Sequence, residues 1–181
     1  MQRGDLLLWM DLEMTSLEDA HIDTIIEIAT VLTDKDLNIV AEGPDIVIHT
    51  ERTAFDRITE KVLGIHQRSG IIGDAEKSAV TEKEAEEQTL AFIKEHTTQG
   101  SAPLCGNSIW VDRHFLRMRM PSIHDYIDYH CIDVSTIKQL AKRWAPETFT
   151  KLHKSERHRA KDDVMESIAE LKFWRSEVLK I

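Results

Sequence analysis

Glycine and proline are scarce, seven and four in 181 residues, and no Gly/Ser/Pro-rich tract, repeat or low-complexity stretch interrupts the chain, so residues 1–181 read as a single domain with one core. Cysteine is rarer still, with two, which excludes a disulfide framework and the clustered spacing of a zinc site. Cys105 and Cys131 both stand in apolar, strand-like contexts and read as reduced core residues. Long hydrophobic runs are missing: a stretch such as Leu6 to Met10 is far too short to cross a bilayer. The N-terminus also lacks the basic, apolar and small-residue order of a secretory signal, so a cytoplasmic location is expected. Positive charge is in deficit, 23 Lys and Arg against 32 Asp and Glu for a net charge of −9. That deficit argues against a broad cationic surface for long nucleic acid. A nucleic-acid ligand of such a chain would be short or gripped locally, and an acidic cluster would need metal ions before phosphate could approach it.

What is present is ordered. Leu6 to Glu13 is an apolar run broken by two acids, Ile25 to Thr33 is rich in β-branched residues, and Leu37 to His49 continues that style around Gly43-Pro44, which predicts three antiparallel strands. Thr81 with Glu84 forms the Ser/Thr-x-x-Glu box that starts a helix, and the following residues carry it toward His96 as scaffold. A short buried strand at Pro103 to Cys105 ends in Gly106-Asn107-Ser108, and a helix from about Ile109 to Met120 stops before Pro121. Another strand at Cys131 to Val134 leads into a helix through Trp144. A last helix runs from about Asp162 to Val178, with Val164, Ile168, Leu171 and Trp174 on one face. Three strands followed by alternating helix and strand predict an α/β fold with a mixed five-stranded sheet flanked by helices.

The chemistry concentrates at widely separated positions. Asp11 and Glu13 stand two apart on the first strand and so present paired carboxylates to one side of the sheet. Two anions so placed repel each other and lose hydration, a cost that cations remove. The same pair also fits an edge strand showing two acids to water. Asp112 falls in the first turn after Gly106-Asn107-Ser108, where its charge suits the positive helix end whether or not it binds anything. His158 leads into the last helix and Asp163 occupies its first turn, so both can face one cleft without sharing the helix.

The order Asp-x-Glu, mid-chain Asp, then His-x-x-x-x-Asp resembles the exonuclease superfamily that carries four acidic residues and a histidine on a ribonuclease H-like fold. The segments Asp11-Leu12-Glu13-Met14-Thr15, Ile26-Glu27-Ile28-Ala29, Leu37 to Pro44, Cys105-Gly106-Asn107-Ser108-Ile109, Ile132 to Thr136 and Arg143-Trp144-Ala145-Pro146 are similar to the oligoribonuclease family within it, from about Leu7 to Arg175. The resemblance implies an enzyme that removes nucleotides from the 3′ end of very short RNA. Asp11, Glu13, Asp112 and Asp163 would hold two divalent cations, Mg²⁺ or Mn²⁺ for hard carboxylates, and His158 would be the general base. It further implies that Leu17 inserts between terminal bases, that Met14 and Thr15 flank the terminal base and sugar, and that His66, Ser108 and Tyr129 close around a 5′ phosphate. Tyr129 would come from the second subunit of a homodimer.

Three positions depart from the family pattern. Ser16 stands where glycine is usual, which conflicts with any turn that requires a positive φ. Lys61 stands near the place of an aromatic and cannot stack as one. His130 replaces an arginine of the phosphate cap, losing a permanent charge and a bidentate fork. These changes bear on dinucleotide preference rather than on hydrolysis. Two other readings remain open at this stage: a related 3′ exonuclease trimming longer RNA or single-stranded DNA, and a non-catalytic exonuclease-like binding module.

Overall fold

β-Branched and large apolar residues build the first three strands, β1 (Leu7–Met14), β2 (Ile25–Thr33) and β3 (Ile39–Val47). The computed structural model describes residues 5–56, 58–151 and 158–180. After a short 3₁₀ turn at Arg52–Phe55 come helices α1 (Glu60–Ser69), α2 (Ile71–Lys77) and α3 (Glu82–His96). Strand β4 (Leu104–Gly106) precedes α4 (Trp110–Arg119) and α5 (Pro121–Tyr126), and β5 (Cys131–Asp133) precedes α6 (Val134–Trp144) and α7 (Pro146–Phe149). The chain closes with α8 (Ala160–Trp174) and a π turn at Arg175–Leu179.

The five strands form one sheet in the order β3-β2-β1-β4-β5, with β1, β2 and β3 antiparallel and β1, β4 and β5 parallel. This is the mixed five-stranded sheet expected from the order of elements. Every residue of β2 is buried, because β2 lies between β1 and β3 and both its faces are covered.

Alternation along β1 sorts its side chains into two layers. Leu8, Met10, Leu12 and Met14 join Leu104 and the α3, α4 and α5 residues Ala85, Ile93, Phe115 and Ile123. Trp9 points the other way and packs with Cys105, Val134 and Ala141, and with Ala160, Val164, Ile168, Leu171 and Trp174 of α8. A buried aliphatic or phenyl side chain in such a layer contributes roughly 1.5–3 kcal/mol. The Trp9 indole also donates to Thr33 Oγ1 at 2.9 Å, so its burial leaves no orphaned donor. Among the described residues no helix is long and apolar enough to cross a membrane.

Several details differ from the sequence reading, and the turn at Ser16 settles a condition that reading left open. The segment between Glu51 and Val80 holds two helices that periodicity did not reveal. The last helix starts at Ala160, two residues before Asp162, and passes into the π turn after Trp174. Cys131 is exposed while Cys105 is buried, because β5 is an edge strand of only three residues. Ser16 does not have a positive φ, so its turn does not demand glycine. The Lys61 backbone lies in α1, but its side chain lies outside the described residues.

Candidate active site

Asp11 and Glu13 continue the face of β1 that begins with Leu7 and Trp9, the face on which α8 packs. Here the apolar layer gives way to a cleft of about 330 Å³. Asp11, Glu13, Met14 and Leu17 line it from β1 and the turn beyond, Asp163 and Ser167 from α8, and His66, Asn107 and His158 from the intervening segments. Donor atoms of Glu13, His158 and Asp163 lie within 4.8 Å of one another.

Asp112 reaches the same place from α4. The backbone N–H groups of even-numbered residues in β1 point toward β4, as the bond from Leu8 N to Pro103 O shows. Because β4 pairs only as far as Trp9, the Leu12 N–H lies past its end, and Asp112 Oδ1 accepts it at 2.9 Å. The carboxylate therefore replaces a missing strand partner and is fixed against β1. Gly106 lets the end of β4 lie close against β1, since a Cβ there would lie 2.9 Å from the Met10 carbonyl oxygen and 2.8 Å from Ile109 Cδ1.

Crowding of acids shows in their protonation. Burial, then the facing charges of Asp112, Glu13, Asp163 and Glu27, push Asp11 well above the ordinary carboxylate range. Burial, followed by Asp163, Glu27 and Asp112, pushes Glu13 up to about 8, while Arg159 pulls it down. Burial is also the first cause for Asp112, which is pushed up to about 7 against the opposing hydrogen bond from Leu12. This arrangement is unfavourable without cations and becomes favourable with them.

The remaining candidate residues divide into two groups. His66 is 3% exposed. Its Nε2 donates to the Met14 carbonyl oxygen at 2.9 Å and its Nδ1 lies 4.0 Å from Glu13 Oε2, which places it beside the acidic cluster. Desolvation holds it below the usual histidine range. Leu17 stands at the rim, 63% exposed. Thr15 is buried, and its hydroxyl accepts the Thr24 N–H at 3.1 Å, so it braces the turn and does not line the cleft.

Ser108, Tyr129 and His130 lie outside the cleft. Ser108, with φ of 52°, borders a neighbouring shallow depression with Trp110, Asp133, Ser135 and Arg143. Tyr129 is 79% exposed. Its ring rests on His130 at 3.8 Å between centroids, and His130 Nδ1 lies 2.8 Å from Asp128 Oδ1. Within one chain these residues do not meet the acidic cluster.

Sequence reasoning assigned no role to several residues that shape the site. Asn107 donates to Ser167 Oγ at 2.9 Å and Glu170 Oε2 at 3.1 Å, and it accepts from Ser135 Oγ at 3.0 Å. Trp174 Nε1 donates to Glu170 Oε1 at 3.0 Å. The loop after β4 is thereby tied to α6 and α8. Glu27, the cross-strand partner of Glu13, is a further acid at the cluster. The signal available for both was their place inside the quoted motifs.

The RNase_T exonuclease family matches residues 8–171. The chain belongs to this family. It is 48% identical over 175 residues to an oligoribonuclease of Vibrio cholerae, covering 97% of this chain and 96% of that one. It is 47% identical over 175 residues to an oligoribonuclease of Haemophilus ducreyi, covering 97% of this chain and 95% of that relative. Among solved structures, E. coli exonuclease I in complex with a dA16 oligonucleotide superposes with a TM-score of 0.70 at 17% identity, covering 97% of this chain. This exonuclease-family chain spans 42% of the exonuclease I chain, and at that identity the likeness establishes the fold alone.

Proposed function

We propose that the chain is a 3′-to-5′ exoribonuclease that degrades very short RNA, dinucleotides above all, to nucleoside 5′-monophosphates. The carrying observation is the convergence of Asp11, Glu13, Asp163 and His158 at one cleft with Leu17 at its rim, and with Asp112 buried against β1 beside them. Carboxylates that repel one another in a partly buried cleft suit hard divalent cations, so Asp11, Glu13, Asp112 and Asp163 would hold two of them, Mg²⁺ or Mn²⁺. When bound, these ions supply the charge that admits a phosphodiester and make a water acidic enough to attack.

His158 accepts the proton as the water oxygen bonds to phosphorus and the bond from phosphorus to the preceding nucleotide's 3′ oxygen breaks. The released nucleotide keeps the phosphate on its 5′ oxygen, and the shortened RNA keeps a 3′ hydroxyl after taking a proton from solvent. Leu17 serves as an apolar wedge between the two terminal bases, with Met14 below them, while His66 braces the turn that carries both. Ser108 and His66, with Tyr129 of a second subunit, would cap the 5′ phosphate, and His130 stands where the cap would have an arginine, which makes a homodimer the working form. Residues 1–181 act as one exonuclease domain, and the cytoplasm is the proposed location.

Length selection tests this reading. Labelled RNAs of two and twenty nucleotides, incubated with Mg²⁺, are expected to show the dinucleotide consumed at least about tenfold more efficiently, the advantage that a well-placed terminal contact worth about 1.4 kcal/mol confers. Equal efficiency on both lengths would replace it with a trimming exonuclease.

A further inference from the structure

Arg159 directly follows His158, and its surroundings are more elaborate than a helix start requires. Its Nε and Nη2 donate to Glu27 Oε1 at 2.9 and 2.7 Å, and its Nη1 donates to Asp74 Oδ2 at 2.9 Å. The next residue joins in, since the Ala160 N–H donates to Glu27 Oε2 at 2.8 Å. Helix α8 has no cap from its own Arg159 side chain. A glutamate from the middle of the sheet, 1% exposed at its side chain, performs that task.

Both oxygens of Glu27 therefore face the start of α8. Although it is the cross-strand neighbour of Glu13, it is engaged by a guanidinium and a backbone amide, which sets it apart from the four acids assigned to cations. The backbone just before the clamp is strained: His158 has φ of 51°, a left-handed conformation that L-residues other than glycine adopt at a cost. Downstream, the Asp163 N–H donates to the Arg159 carbonyl at 3.0 Å, so the same residue sets the first turn that carries Asp163.

Resting on the reading that His158 accepts the proton, we propose that Arg159 and Glu27 are positioning residues of the hydrolysis. Their ion pair holds His158 in its strained conformation beside Glu13 and Asp163. Asp74 extends the clamp to α2. A displacement of about 1 Å in a proton acceptor can cost on the order of 10²-fold in rate while leaving substrate contacts intact. The pair therefore acts on turnover.

The test compares Glu27→Gln, Arg159→Met, Arg159→Lys and Asp74→Asn on an RNA dinucleotide with Mn²⁺, with Mn²⁺ affinity read separately by electron paramagnetic resonance. Expected for Glu27→Gln and Arg159→Met is a kcat loss of about 10- to 100-fold, with KM and Mn²⁺ affinity within about threefold of wild type. Arg159→Lys regains part of the loss. Asp74→Asn, which removes only the outer arm, loses about two- to fivefold and keeps the test open if the inner variants do not fold. In a His158→Ala background, Arg159→Met changes the residual rate by less than about twofold, because a residue acting through His158 has nothing left to position. Unchanged kcat in Arg159→Met, or in Asp74→Asn where the inner variants are unfolded, would overturn the proposal, as would a Mn²⁺ affinity loss that accounts for the rate or a further large drop in the His158→Ala background. If His158→Ala itself turns over normally, the proton-acceptor reading fails instead, and the two failures are distinguishable.

Discussion

Asp11, Glu13, Asp112 and Asp163 are costly residues to fold around. In the cation-free protein burial raises the energy of ionised Asp11, Glu13 and Asp112, and repulsion from neighbouring acids adds to it. Asp11→Ala and Asp163→Ala are therefore expected to abolish most turnover, by more than about 10²-fold, without unfolding the chain. Chelated Asp11→Ala should melt at the same temperature as wild type or higher, because it removes a repulsion; differential scanning calorimetry in EDTA would show this, and a large fall in melting temperature would contradict it. Thiol chemistry provides an independent check on the layers. Burial pushes the Cys105 thiol far up, so a disulfide reagent should titrate one cysteine, Cys131, in the native protein and both after denaturation. The context of Cys131 suggested a core residue because its neighbours are apolar. Sequence does not reveal that a three-residue strand lies at the sheet edge.

Helix α3 shows what local chemistry makes legible. The Thr81 hydroxyl accepts the Glu84 N–H at 3.2 Å while Glu84 Oε2 accepts the Thr81 N–H at 2.8 Å, the reciprocal box anticipated from residue types alone. Thr81→Ala should lower the unfolding free energy by about 1 kcal/mol with activity unchanged, measurable by urea titration. The strands β1 and β2 were equally readable, since alternation and β-branching determine them. The paired carboxylates of β1 were legible for the same reason. Helices α1 and α2 were not, although Thr59 as cap and Gly70 at φ of 76° mark the ends of α1. Helix α1 fully buries only His66 among its described side chains, and α2 is seven residues long, so neither presents a long apolar stripe. The start of α8 at Ala160 is not legible in the sequence because its cap is Glu27, 133 positions before Ala160, and no local pattern reports a cap supplied by another strand. Asp112 is similar: its place in a first turn was legible, whereas its bond to Leu12, 100 positions away, depends on where β4 stops.

At the scale of the whole molecule, the raised carboxylates couple stability to pH. Glu13 moves from an ordinary 4.5 to about 8 and Asp112 from 3.8 to about 7 in the cation-free fold. Between those limits the folded protein binds more protons than the unfolded chain, so this stabilisation is complete below the ordinary values and is lost as pH rises through the folded ones. His66, held below 6.5, works in the opposite sense: its contribution is present above the ordinary value and is lost as pH falls toward the lowered one. Three raised carboxylates outweigh one lowered histidine. Chelated protein should therefore melt at a lower temperature at pH 8 than at pH 5.5, and saturating Mg²⁺ should narrow the gap; equal melting temperatures in EDTA would contradict the crowding.

The proposed homodimer is tested by complementation. Mixing an Asp112→Ala chain with a Tyr129→Ala chain should restore one working site per heterodimer, and no recovery despite demonstrated subunit exchange would count against a shared site.

The most direct measurement is single-turnover hydrolysis of a labelled RNA dinucleotide by wild-type protein with Mg²⁺, by the same protein in excess EDTA, and by Asp163→Ala with Mg²⁺. The convergent acidic site predicts release of nucleoside 5′-monophosphate in the first reaction and almost none in the other two. Comparable release in EDTA, or by Asp163→Ala, would contradict it.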